Sequence, residues 1–81
     1  MDDVKAAVRE FILREFLPGE DPSALTDATP LLTGGILDSV STLRLIAFVE
    51  ERFGVSVEAY EADPDHFDTI DRIARLVASK R

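Results

Sequence analysis

Between residues 18 and 38 the chain carries Pro18, Gly19, Pro22, Pro30, Gly34 and Gly35, and breakers at that density leave no room for a long helix. Both flanks read the opposite way. Before the breakers, Val4, Val8, Phe11, Ile12 and Glu15 recur at the i, i+4, i+7 spacing of a helix, and Leu13, Phe16 and Leu17 widen its apolar face. Asp2 or Asp3 can cap its start. After them, Thr42, Leu45, Ile46, Val49 and Phe53 form one stripe of a second helix, about Ser39 to Phe53. A connection this long inside a compact domain is functional or mobile, and Leu25, Leu31, Leu32, Ile36 and Leu37 are the side chains expected to anchor it. A short helical turn near Ser23-Ala24-Leu25 fits within it.

Gly54 suits the left-handed residue that closes a helix. Val55-Ser56-Val57 is too short and too isolated for a sheet, so it reads as an extended connector with its valines in the core. Glu58 to Ala62 predicts one or two helical turns, capped by Ser56 and ended before Pro64. A last helix starts near Asp68-Thr69, with Ile70, Ile73, Ala74, Leu76 and Val77 inward and Asp71 and Arg75 paired at i, i+4. The expected architecture is all-α: one domain over residues 1–81, a small four-helix bundle of three longer helices and one short one, with its long loop between the first two.

Composition removes several classes of function. The 81 residues include no cysteine and one histidine, which excludes disulfides, thiolate metal sites and a cysteine nucleophile and leaves no Ser-His-Asp set. A formal net charge of −7 repels nucleic acid and favours basic protein surfaces as partners. No run reaches the ~20 apolar residues of a membrane span, and Met1-Asp2-Asp3 opens no signal peptide, so the expected protein is cytoplasmic and monomeric. Eight acids and a single base lie between Glu50 and Asp71. A calcium loop at Asp63, Asp65 and Asp68 fails, because Asp68 stands where glycine is needed and Ala74 where glutamate is needed. That stretch reads as a solvated acidic edge, with His66 ordering the turn before the last helix and Phe67 plugging the core.

The chemistry concentrates at Gly34-Gly35-Ile36-Leu37-Asp38-Ser39-Val40. Asp38 is placed to cap the second helix. Ser39 then falls in its first turn, where free N–H groups and the helix dipole favour an anion. Ser41 is expected to be an exposed spacer. Leu37-Asp38-Ser39-Val40, preceded by Gly-Gly-Ile and followed by an apolar helix ending Glu50-Glu51-Arg52-Phe53-Gly54, resembles the attachment motif of acyl and peptidyl carrier proteins. The resemblance covers essentially the whole chain.

It implies that Ser39 carries a 4′-phosphopantetheine arm, transferred from coenzyme A by a phosphopantetheinyl transferase. The arm's thiol would hold an acyl or aminoacyl group as a thioester. Asp38 matches the family's aspartate that helps the transferring enzyme bind metal and coenzyme A. Val40, Leu43, Arg44, Ala47 and Glu51, on the outer side of the helix, are the expected partner-binding residues. Such a carrier is not an enzyme, has no catalytic residue and holds no resident metal.

Two departures suggest the pathway. Many fatty-acid carriers have acidic residues where this chain has Arg44 and Ser41, and segments like Asp65-His66-Phe67-Asp68-Thr69 recur in stand-alone carriers loaded with amino acids. The implied partners are an adenylating enzyme for loading and a downstream acyltransferase, ketosynthase or condensation-type enzyme, in a specialised-metabolite, polyketide or nonribosomal peptide pathway. The alternatives are a fatty-acid-synthesis carrier and, from another class, a helical interaction domain whose Ser39 is never modified.

Overall fold

Val4, Val8 and Ile12 stand a turn apart on helix α1 (Asp2–Phe16), and all three are sealed from solvent. The computed structural model describes residues 2–81, with the side chains of all of these except Asp2 and Pro22. The inward stripe of α1 meets two partners, α2 (Ser39–Phe53) and α4 (Ile70–Lys80). A short helix, α3 (Pro64–Phe67), packs on α4. Single 3-10 turns lie at Pro22–Ala24 and Ala59–Glu61. Among the described residues, three long helices and one short one, with the long connection between α1 and α2, give the expected all-α bundle. The short helix, however, is Pro64–Phe67, and residues 58–62, where it was expected, form only a 3-10 turn.

The core follows from the spacing. Leu45 and Val49 of α2 meet Ile70, Ile73, Ala74, Leu76 and Val77 of α4 and the ring of Phe67 in one buried cluster. Thr42 is buried with the α2 stripe and returns its hydroxyl to the Asp38 carbonyl at 2.7 Å, so its polar atom is satisfied. Leu25, Leu31 and Leu37 pin the long connection into this cluster, while Leu32 and Ile36 are half-buried against it. Charge adds a second fastening. Lys5 lies 3.2 Å from both Asp27 and Asp71, and Arg9 also pairs with Asp27. Partly exposed pairs contribute about 0–1 kcal/mol each, against about 1.5–3 kcal/mol for each buried leucine. The leucines hold the loop; the ion pairs align it.

Four of the five phenylalanines lie outside that cluster's buried centre. Phe48 of α2 stacks on Phe11 of α1 at 4.2 Å, Phe16 and Phe53 meet the pair edge-on, and Arg14, Arg44 and Arg81 sit over the Phe11, Phe16 and Phe53 rings. These half-buried rings form a seam between α1 and α2, each edge or stack adding about 0.5–1.5 kcal/mol to the area it buries.

Several local expectations need correction. Pro64 opens α3, where its missing N–H costs nothing, and so begins a helix as well as limiting the turn before it. The cap of the Ala59–Glu61 turn is Glu58 in a reciprocal capping box with Glu61, and not Ser56. Thr69, rather than Asp68, caps α4, accepting the Arg72 N–H at 3.1 Å. Glu61 and Asp68 are buried rather than part of a solvated acidic edge. The capping expected of Asp2 lies outside the described side chains, and Asp3 sits within α1. Val55 is buried and Val57 half-buried in an extended connector, as their spacing implies.

Candidate functional site

Asp38 ends the long connection in extended backbone, φ −96° and ψ −172°, and its Oδ1 accepts the Ser41 N–H at 2.7 Å. Its carbonyl accepts the Thr42 N–H at 2.9 Å, the first bond of α2. The cap is therefore complete before Ser39 begins the helix. That Ser41 N–H holds the Asp38 carboxyl below its ordinary range, so Asp38 is a carboxylate at neutral pH. Ser39 is exposed, and among the described residues its hydroxyl has no hydrogen-bond partner. None of the described residues competes for that oxygen. Ser41 is half-buried rather than exposed.

The approach to Ser39 is shaped by the segment just before it. The Leu37 N–H donates to the Leu31 carbonyl at 2.9 Å, closing residues 31–37 into a tight loop. Gly34 is required at its tip, because a Cβ there would stand 2.2 Å from the Pro30 carbonyl oxygen. Beside Ser39 this loop and α2 border a groove of about 450 Å³, whose apolar lining is Leu32, Leu37, Leu43, Ile46 and Ala62. A flexible arm on Ser39 would have an apolar wall at its root. An exposed hydroxyl on a capped helix end, with a groove alongside, fits a bulky phosphodiester. Among the described residues no cluster of three metal-ligating side chains is present.

The outer side of α2 continues the site. Val40 and Leu43 are each 66% exposed, and Ala47 and Glu51 are exposed on the same side. Arg44 departs from that stripe. Its guanidinium reaches back to Glu15 of α1 at 2.6 Å and lies 5.3 Å from the Phe16 ring centre. Glu15, spaced as if inward, thus serves as its surface partner. Sequence reasoning passed over Tyr60, 73% exposed in the turn that leads to Ala62 of the groove. The Glu58–Glu61 capping box that builds this turn was a readable signal. The sequence reads Asp68 as a solvated acid or a cap and misses its real partners: its carboxylate accepts N–H groups from Leu32 and Thr33 at 2.9 Å.

No protein-family model matches the chain. Among curated proteins, D-alanyl carrier protein 2 of Lactiplantibacillus plantarum is 37% identical over 79 residues, covering 98% of this chain and 95% of its own. The D-alanyl carrier protein of Streptococcus gordonii is 38% identical, with 98% and 96% covered. A solved structure described as a crystal structure of an FAD-dependent dehydrogenase contains a chain 36% identical, with a TM-score of 0.78 over 86% of this chain and 97% of that one. The two curated relatives are carriers by name, which agrees with the non-enzymatic reading. None of the described helices is long and apolar enough to cross a membrane. Matched along nearly its whole length, the chain belongs to the family of small free-standing carrier proteins that includes the D-alanyl carrier proteins.

Proposed function

We propose that this single 81-residue carrier domain bears 4′-phosphopantetheine on Ser39 and holds an aminoacyl group, D-alanine foremost, as a thioester on the arm's thiol. The observation that carries the cargo assignment is the near-complete match to relatives named for D-alanine. Those names favour an aminoacyl cargo over the polyketide setting considered from the sequence. The arm supplies a sulfur nucleophile that a chain without cysteine lacks. The chain's own residues supply the rest. Ser39 offers an unengaged hydroxyl, and the first turn of α2 stabilises the resulting phosphodiester by about 0.3–1 kcal/mol. Asp38 holds that turn and presents a carboxylate to the transferase and its metal. Val40, Leu43, Ala47 and Glu51, with Arg44 at the margin, form the docking stripe for transferase, adenylating enzyme and acceptor. Coenzyme A as arm donor places the protein in the cytoplasm.

The test is a mass measurement. Apo protein incubated with a broad-specificity phosphopantetheinyl transferase and coenzyme A gains one phosphopantetheine, and Ser39→Ala gains none. Holo protein then gains D-alanine from an adenylating enzyme and ATP more readily than L-alanine or a fatty acid. Folded wild-type protein that gains no arm would return the chain to a helical interaction domain. An arm loaded equally with any acid removes the D-alanine assignment alone.

A second reading rests on the structure described for an FAD-dependent dehydrogenase. There the downstream partner of the loaded carrier would be a flavin enzyme that removes hydrogen from the tethered group. Loaded protein that reduces such an enzyme's flavin, while the free amino acid does not, would establish it.

A further inference from the structure

Among the described residues two carboxylates are buried, Glu61 at 7% and Asp68 at 9% exposure, and burying an anion is costly unless it is paired or hydrogen-bonded. Glu61 has its cation, Lys80 at 2.8 Å, and its capping box. Asp68 has no ion pair among the described residues. Its donors come from the loop that ends at Ser39. The Leu32 and Thr33 N–H groups reach Oδ1 at 2.9 Å, and the Thr33 hydroxyl lies 3.2 and 3.0 Å from the two oxygens. The main chain adds to this, because the Leu31 N–H donates to the Asp68 carbonyl. Three consecutive backbone donors, 31 to 33, therefore converge on one residue of the turn between α3 and α4.

From there the contacts run to the candidate site. The Leu31 carbonyl, on the residue held by Asp68, accepts the Leu37 N–H, and Leu37 precedes the Asp38 cap. Leu31 and Leu37 are both buried, so the loop has little freedom to compensate for a lost attachment.

We propose that Asp68 is a positioning residue for modification at Ser39, its carboxylate fixing the 31–37 loop so that Asp38 and Ser39 meet the transferase in one geometry. This rests on the reading of Ser39 as the attachment residue. A buried carboxylate receiving several donors from one loop does more than fill space, because charge-assisted hydrogen bonds are directional and about twice as strong as neutral ones. Asp68 touches neither Ser39 nor its arm and acts only through the loop.

The experiment compares wild type, Asp68→Asn and Asp68→Ala as transferase substrates, well below their melting temperatures. Asp68→Asn keeps the shape and one acceptor but removes the charge. The expected result is kcat reduced several-fold in Asp68→Asn and roughly tenfold or more in Asp68→Ala, within the ~10²-fold cost of a ~1 Å misplacement, with KM changed less than twofold. Amide exchange is the second measurement. The Leu37 N–H, which does not touch Asp68, loses protection in Asp68→Asn while Val8 and Ile12 in α1 keep theirs.

Wild-type kcat in folded Asp68→Asn overturns the proposal, and so does a uniform loss of protection throughout the chain or an unchanged Leu37. Should Asp68→Ala not fold, Asp68→Asn decides alone. A wild-type protein that accepts no arm at all refutes the Ser39 reading, whereas equal modification of wild type and Asp68→Asn refutes only the role of Asp68.

Discussion

Asp38 has two separable duties, and they respond to different substitutions. As a cap it needs an oxygen facing the Ser41 N–H; as a metal or transferase ligand it needs a charge. Asparagine and aspartate cap equally well, whereas alanine costs about 0.5–2 kcal/mol. Asp38→Asn should therefore keep its urea midpoint while losing rate of arm transfer, and Asp38→Ala should lose both. Equal rates in Asp38→Asn and wild type would leave Asp38 only as a cap. Arg44 invites a similar division. Its ion pair with Glu15 is half exposed, so Arg44→Glu, which sets two carboxylates against each other and removes the cation over Phe16, should cost no more than about 1 kcal/mol. Loading and docking rates should change by more than that stability loss explains, provided Arg44 borders the docking stripe.

Among the elements, α2 was the most legible, its bounds Ser39–Phe53 following from the Asp38 cap, the stripe and Gly54, which closes it at φ 67°. The inward face of α4 was equally plain, since all five residues expected there are buried. The stretch from Glu58 to Thr69 was not. Local signals compete there: Pro64 can end one segment or begin the next, and Glu58, Asp63, Asp68 and Thr69 are all competent caps. Tertiary contact decides among them, because Asp68 is drawn away to the 31–33 loop and only Thr69 remains for α4. At the candidate site, the placing of Asp38 as cap and Ser39 as first residue of α2 was readable, but the Arg44–Glu15 contact spans 29 positions and no spacing rule reaches that far. Phe67, fully buried where α3 joins the core, tests how much this segment matters. Phe→Ala in a core costs about 3–5 kcal/mol, against roughly 4–12 kcal/mol for a domain this size at 0.05–0.15 kcal/mol per residue. Phe67→Ala should lower the melting temperature by more than about 12 °C, at 4–8 °C per kcal/mol. A smaller shift would mean that the α3 segment contributes little to cooperative folding.

For the molecule as a whole, the buried and capping carboxylates set the pH range of stability. Asp68 lies below its ordinary range because the Thr33 N–H, above all, favours its charged form. Glu61 is lowered first by Lys80 and Asp63 first by His66. A folded-state pKa below the unfolded value stabilises the protein above the unfolded pKa, about 4 for these acids, and that contribution vanishes as pH falls through the folded value. Lys5 and Lys80 act in the opposite sense. Raised by Asp27 and Glu61 respectively, they stabilise below the unfolded lysine value of about 10.4 and lose that contribution as pH climbs through their folded values. Urea midpoints followed by circular dichroism should therefore be nearly flat from about pH 6 to 9 and fall steeply below about pH 4. Asp68→Asn separates one carboxylate from the rest. It should be less stable than wild type at pH 7, and the gap should close as pH drops below about 4, because wild-type Asp68 is then losing the same charge. A gap that stayed constant down to low pH would show that the loop bonds the shape of that side chain and not its ionised form.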